Sequence, residues 1–252
     1  MSGNTDLLQS VDLALQVLME VARIADARLS EIARNLGETK PRILRMLRTL
    51  EHRGFVRKTA EGGYRLGNAV LVLGTAATTQ IDLVKLASPI LESVGAKVNE
   101  TVQLRIRDND EALCIAKFEP SRDLRVHATI GRRRPLYAGS SKVLLAFLPP
   151  KLQAELIPDE LTPLTGRTIT DRQRLMRELE TIRNQGYCIS RGEISEQLCS
   201  VAVPVRAVGG TVIAALNIAA PAFRTQRPDL DRYVDLLGSA ARKISKGLGW
   251  DG

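Results

Sequence analysis

Apolar residues recur at helical spacing through the first fifth of the chain. Val11, Ala14, Leu15, Leu18, Val21, Ala22 and Ala25 mark the core face of a first helix, with Ser10 as its cap. Residues 30–36 read as a short second helix capped by Ser30, with Glu31 in a first turn that favours negative charge and Gly37 where a left-handed stop is wanted. The third helix is strongly two-sided. Ile43, Met46, Leu47 and Leu50 share one stripe, while Arg42, Arg45, Arg48 and Thr49 share the opposite one. Thr39 is placed to cap it, and Pro41 suits the first helical position, where its missing N–H costs nothing. After Gly54, residues 55–58 and 64–66 alternate as two short strands around a turn at Glu61, Gly62 and Gly63. Helix, turn, basic helix and hairpin in this order predict a winged helix-turn-helix.

Beyond the hairpin the pattern changes. Residues 69–77 are apolar nearly all round, which predicts a helix buried against its own domain or a second chain. A further helix over residues 82–98, kinked or restarted at Pro89, joins it to the rest. Residues 101–107 and 112–118 read as a hairpin around a turn at 108–110. More strands are expected at 124–130, 187–191, 200–206 and 212–219, the last two linked through Gly209 and Gly210. Helices are expected at 141–147, at 171–185 with Thr170 as cap, and at 228–248. Hairpins with interspersed helices predict an α+β domain with a largely antiparallel sheet. The expected division is a winged helix-turn-helix domain over 1–75, a linker helix region over 76–99, and an α+β domain over 100–252.

Charge sharpens the first of these domains. Between Thr39 and Lys58 stand seven Lys or Arg residues (40, 42, 45, 48, 53, 57 and 58) against one acid, Glu51. In helix-turn-helix proteins the leading end of the second helix enters the major groove. Thr39, Lys40, Pro41, Arg42, Arg45 and Arg48 are therefore the expected DNA-facing residues, with Arg42 and Arg45 the candidates for base contacts. Arg57, Lys58 and Arg65 would arm the wing against phosphates. The chain as a whole carries 36 Lys and Arg against 28 Asp and Glu, a net charge of +8, which favours a polyanionic partner.

Other chemistry is sparse. Cys114, Cys188 and Cys199 form no C-x-x-C pair, and His52 and His127 are the only histidines, so neither a disulfide framework nor a zinc site is implied and no cofactor is expected. No G-x-S-x-G, H-E-x-x-H or G-x-x-x-x-G-K-[ST] occurs, and no G-x-G-x-x-G follows a strand, so an enzyme is not expected. Without a signal-like N-terminus or an apolar run long enough to span a bilayer, a cytoplasmic location is expected.

Several ordered motifs resemble one family. SVDLALQVL, LSEIARNLG, LRTLEHRGFVRK, GGYRLG, RRRPLYAGSSKVLLAFLP, LETIRNQGYCISRGE, SVAVPV and IAALNIAAPAFR together make residues 10–248 look like an IclR-type bacterial transcription factor. The resemblance implies a repressor or activator, dimeric or tetrameric, whose winged helix binds palindromic operators in double-stranded DNA. Its C-terminal domain, similar to GAF and profilin-like sensor folds, would bind a small organic effector. The alternative is a constitutive DNA-binding protein whose C-terminal domain only assembles oligomers.

In that family the effector-contacting loop matches residues 138–141. Gly139, Ser140 and Ser141 precede a helix start, where free N–H groups favour a carboxylate, although an ordinary serine cap would look the same. Elsewhere the chain departs from the family pattern. Ser190 and Arg191 follow the central Gly-Tyr where an acid is common, with Glu193 the nearby acid. Ser200 stands at a position often held by cysteine, with Cys199 one place before it, and a Ser-x-Ser pair becomes Asn217 and Ala219. Glyoxylate or pyruvate is therefore not assumed. Asn217 either makes a structural hydrogen bond or touches the ligand. Arg191 pairs with an anionic effector or with Glu193 or Glu196. The run Arg132 to Arg134 either screens an anionic entrance or is a solvated loop. Pro41 and Arg42 replace small hydroxyl residues, so the target DNA sequence should be the protein's own.

Overall fold

A computed structural model describes residues 7–24, 26–80 and 83–252. The chain forms two compact units, residues 1–81 and 82–252.

The first unit holds α1 (Gln9–Arg23), α2 (Leu29–Asn35), α3 (Lys40–His52), β1 (Val56–Lys58), β2 (Tyr64–Leu66) and α4 (Asn68–Gln80). Its core holds Leu13, Val17 and Val21 of α1, Ile32 of α2, and Ile43, Leu47 and Leu50 of α3, closed by Val56 and Tyr64. The stripe predicted for α3 is buried, but the face predicted for α1 is not: only Val21 of it is buried, Ala14 and Leu18 are half-buried, and Val11, Leu15 and Ala22 are exposed, because the helix packs through the neighbouring face of Leu13 and Val17. Gly37 and Gly54 take the left-handed conformation that ends α2 and α3, at φ of 66° and 72°. Strands β1 and β2 pair antiparallel, and Gly62 turns the wing at φ of 82°.

Helix starts differ from expectation. Leu8, not Ser10, precedes α1, and Arg28, not Ser30, precedes α2; neither end has a side-chain cap. Thr39 does occupy the cap position of α3, but its hydroxyl makes no capping hydrogen bond. Ala25, the last residue of the first apolar pattern, lies outside the described residues. Of the two partners expected for helix α4, its own domain does not cover it: Val72 and Leu73 are exposed within this unit.

The second unit is built on one six-stranded, wholly antiparallel sheet in the order β5-β4-β3-β8-β7-β6. Its strands are β3 (Thr101–Asp108), β4 (Glu111–Phe118), β5 (Arg133–Pro135), β6 (Cys188–Arg191), β7 (Leu198–Arg206) and β8 (Val212–Pro221). One face packs on α5 (Leu83–Val98) and α9 (Arg227–Gly247), through Val102, Leu104, Cys199, Val201, Leu216 and Ile218. The expected first residue of the linker helix, Asp82, is outside the described residues; α5 runs through Pro89. The opposite face carries α6 (Lys142–Ala146), α7 (Pro150–Leu156) and α8 (Arg172–Gln185) over a second core containing Ala202 and Ala215. Because strand side chains alternate, Gln103, Arg105, Ser200, Asn217 and Ala219 share this second face.

Two expectations fail here, and two elements were unread. Residues 124–130 form no strand: the Val126 carbonyl accepts from the Thr101 hydroxyl and the Ala128 carbonyl from the Lys117 ammonium, so side chains replace a ladder. The edge strand is instead β5, paired to β4. Asp171, not Thr170, caps α8, its carboxylate accepting from the Arg174 N–H at 2.7 Å. Helix α7, unread in the sequence, starts on Pro150.

Candidate nucleic-acid interface and interior cavity

The outer side of α3 and the wing form the first site. Lys40, Pro41, Arg45 and Arg48 are exposed on α3, as are Thr39 before it and Arg57, Lys58 and Arg65 on the wing. Burying Ile43 and Leu47 completely dictates this, because residues on the opposite stripe must then face water. Lys40, Arg45, Arg48, Arg57 and Lys58 make no ion pair among the described residues. Arg42 is held by Glu38 at 2.6 Å, an i,i+4 pair. Arg65 is tied by two hydrogen bonds to Asp26, which is set beside it by the bridge between Ala27 and Tyr64. The Arg65 guanidinium draws the Asp26 carboxyl below its ordinary range. Two of the nine predicted DNA-facing residues thus already have carboxylate partners.

The second site lies inside the other unit. Ser140, Ser141, Ser200, Asn217 and Ala219 line a small cavity of about 40 Å³ on the second sheet face. Gly139, Ser190, Arg191, Glu193 and Cys199 do not line it. Cys199 points into the opposite core by strand alternation. Arg191 is exposed and donates to the Thr225 carbonyl at 3.1 Å. Ser190 lies opposite Ser200 on the neighbouring strand and is buried.

Glu193 has a different set of partners. Lys142, fully buried, donates to Glu193 at 2.8 Å and to Glu178 at 2.9 Å, and the Gly139 N–H donates to the second Glu193 oxygen at 3.2 Å. Burial opposes the ammonium, but the nearby Cys188 sulfur and the two carboxylates outweigh it and raise the Lys142 pKa. One of the N–H groups that the sequence left for an effector is therefore occupied by the protein's own carboxylate. Gly139 itself has φ of 67°, and a Cβ there would meet Ile194 at 2.6 Å, so glycine is required at this turn. The helix that follows spans only Lys142–Ala146, after a 3₁₀ turn at Gly139–Ser141. Burial pushes the Cys188 thiol up to about 12, which leaves it an unreactive core residue.

Of the cavity's other polar walls, Gln103 and Arg105 were missed, whereas Arg132 and Arg134 belong to the run that the sequence offered as either an entrance screen or a solvated loop. Gln103 and Arg105 of β3 enter it, with Arg132 and Arg134 from the loop before β5 and β5 itself. Arg105 is 8% exposed and donates to Gln103 Oε1 at 2.6 Å and to the Ala112 carbonyl at 3.4 Å. Burial lowers its pKa, as it does for Arg134, where the neighbouring Arg132 and Arg105 charges act in the same direction. Asn217 Oδ1 is buried without a hydrogen-bond partner. A larger groove of about 480 Å³ beside Tyr187 and Trp250 is a poorer anion site, because its Arg206 already stacks on Phe147 and Trp250 and donates to the Gly210 carbonyl. Among the described residues no helix is long and apolar enough to cross a membrane.

Known proteins match this organisation in both units. A sequence model of the IclR helix-turn-helix domain matches residues 10–60, and one for the bacterial transcriptional regulator IclR C-terminal region matches residues 75–246. The HTH-type transcriptional regulator KipR of Bacillus subtilis (strain 168) is 33% identical over 224 residues, spanning 88% of this chain and 90% of KipR. A crystal structure of a putative IclR regulator from Silicibacter sp. TM1040 shares the fold, with a TM-score of 0.84 at 23% identity over 95% of this chain and 96% of that one. An IclR homologue from Microbacterium hydrocarbonoxydans, crystallised with 4-hydroxybenzoate, is 25% identical with a TM-score of 0.61, over 95% of this chain and 99% of that one.

Proposed function

Because the chain belongs to the IclR family of transcriptional regulators and carries that family's DNA-binding helix-turn-helix, we propose that its operator affinity is set by a small organic acid bound in the β3–β8 cavity. The observation that carries this is the orphaned, buried Asn217 Oδ1 in a cavity walled by hydroxyls and guanidiniums. A buried polar atom without a partner costs roughly 1–3 kcal/mol, a cost that a ligand able to donate a hydrogen bond removes. The homologue bound to 4-hydroxybenzoate supports a small carboxylate as the type of ligand. In this reading the protein is a non-enzymatic regulator of the cytoplasm.

DNA recognition follows from the exposed face of α3. Arg42 and Arg45 read base edges in the major groove while Arg57 and Lys58 hold phosphates; to do so Arg42 exchanges its half-buried Glu38 partner for the base edge. Two winged helices of a homodimer or homotetramer would address the halves of a palindromic operator. Val11, Leu15 and Met19 of α1 and Val72 and Leu73 of α4 are exposed and apolar, and they supply the assembly surface in the first unit. Effector binding would bias the spacing of the paired winged helices, converting occupancy into affinity.

The test is a thermal-shift screen of small carboxylates, sugar acids and aromatic acids, followed by operator binding with each hit. A ligand at 100 times its Kd stabilises the folded state by about 2.7 kcal/mol. Asn217→Leu should abolish the shift while leaving operator binding intact. Operator binding indifferent to every hit would leave the second unit as an assembly module only.

A further inference from the structure

Three guanidiniums border a cavity that has no carboxylate on its walls among the described residues. Arg105, Arg132 and Arg134 all line it, and none is in an ion pair among the described residues. The run Arg132, Arg133, Arg134 is divided by strand alternation. Arg133 turns outward to Asp108 and to Glu111 at 3.6 Å, whereas its two neighbours turn inward. The acids at this edge of the sheet are thus used by the one arginine that does not face the cavity. Elsewhere in the same unit buried charge is neutralised: Lys142 faces two carboxylates, and Arg224 meets the buried Glu100 at 2.8 Å. The cavity is the place where cationic charge is concentrated and left unanswered by the protein.

We propose, resting on the reading of this cavity as the effector site, that its ligand is a hydroxylated dianion, either a small hydroxy-dicarboxylate or the phosphate monoester of a small polyol. One negative charge cannot answer three guanidiniums held around one narrow space. A doubly charged ligand forms charge-assisted, fork-shaped hydrogen bonds with Arg105 and Arg134, the more deeply placed pair. Asn217 Oδ1 is an acceptor and accepts nothing from an anion, so the ligand must also bring a donor, which a hydroxyl supplies. The Ser200 hydroxyl lies on the same wall. At about 40 Å³ the cavity holds a few waters at most, and the exposed Arg132 and His127 form the rim that must swing aside.

The experiment compares L-malate and glycerol 3-phosphate with the monoanions lactate and glycerate, at constant ionic strength, by melting temperature and by release from operator DNA. Succinate serves as the dianion without a hydroxyl. At least one of the two hydroxylated dianions should bind about tenfold or more tightly than either monoanion, and succinate should be weaker than malate. Malate against glycerol 3-phosphate distinguishes a dicarboxylate from a phosphate ester. Arg134→Gln should erase the dianion preference without lowering the melting temperature of the unliganded protein, a combination that a merely structural arginine would not give. Equal binding of mono- and dianions, or a preference that survives Arg134→Gln, overturns the proposal. A monocarboxylate that releases operator DNA through Asn217 would do so too, while leaving the sensor reading in place. If no acid of either charge shifts melting or operator binding, the sensor reading falls with it.

Discussion

The arginines of α3 and the arginines of the cavity carry the same charge under opposite constraints. On α3, Arg45 and Arg48 stand in water, where an unpaired guanidinium costs nothing and salt screens it from its neighbours. In the cavity, Arg105 is almost completely buried and burial pulls its pKa down; a guanidinium stays protonated regardless, so that shift records the cost of keeping the charge there. Exposed cations wait for a polyanion of any length. Buried ones demand a ligand of matching charge and shape. The same contrast separates Arg105 from Lys142, which is buried more deeply but is answered by Glu193 and Glu178.

The largest effect should come from breaking the answered pair. Lys142→Met leaves the buried Glu193 without its cation, and urea unfolding should show a loss of about 3–5 kcal/mol. A neutral result there, beside a destabilising Arg134→Gln, would invert the distinction between paired and unpaired interior charge. Next come the outer arginines. Arg42→Ala and Arg45→Ala should each cost about 1–3 kcal/mol of discrimination between operator and random DNA, whereas Lys58→Ala should weaken both alike and reduce the salt slope by about one. Equal losses on both kinds of DNA for Arg42 and Arg45 would make them phosphate clamps rather than readers.

The smallest effect concerns acid stability of the first unit. Glu20 accepts from Arg23 at 2.7 Å and from Asn35 at 2.6 Å, and these hydrogen bonds, Arg23 foremost, lower its pKa from 4.5 to about 2. The depressed value favours the folded state above 4.5, and that contribution disappears as the pH falls toward 2. Melting curves of Glu20→Gln and wild type should therefore differ at neutral pH and converge near pH 2. A gap that persists at acid pH would assign the difference to packing rather than charge.

Much of the first unit was legible because its determinants are local. The stripe of Ile43, Leu47 and Leu50 fixes which side of α3 faces the solvent, and Gly37 and Gly54 mark its boundaries through a backbone conformation that other residues adopt at a cost. Helix starts were less legible: Ser10 and Ser30 have the right chemistry for caps, but the cap positions fall on Leu8 and Arg28, and neither makes a side-chain capping hydrogen bond. In the second unit Ser140, Ser200 and Asn217 converge as the sequence suggested. Glu193 does not, since nothing in its neighbourhood reveals that Lys142, 51 residues away, faces it in the core.

The sequence alone determined the helical periods, the basic face opposite an apolar stripe, the antiparallel hairpins and the ordered motifs of the family, all properties that depend on residues a few positions apart. Tertiary structure decided which polar strand residues are interior. Gln103 and Arg105 alternate with Val102 and Leu104 just as a half-solvated strand would, and only the central place of β3, between β4 and β8 with packing on both faces, turns that alternation into a buried wall. It also separated Arg133 from Arg132 and Arg134. Burial depends on what the rest of the chain lays over a strand, so the unanswered charge of the cavity becomes visible only once the sheet is assembled.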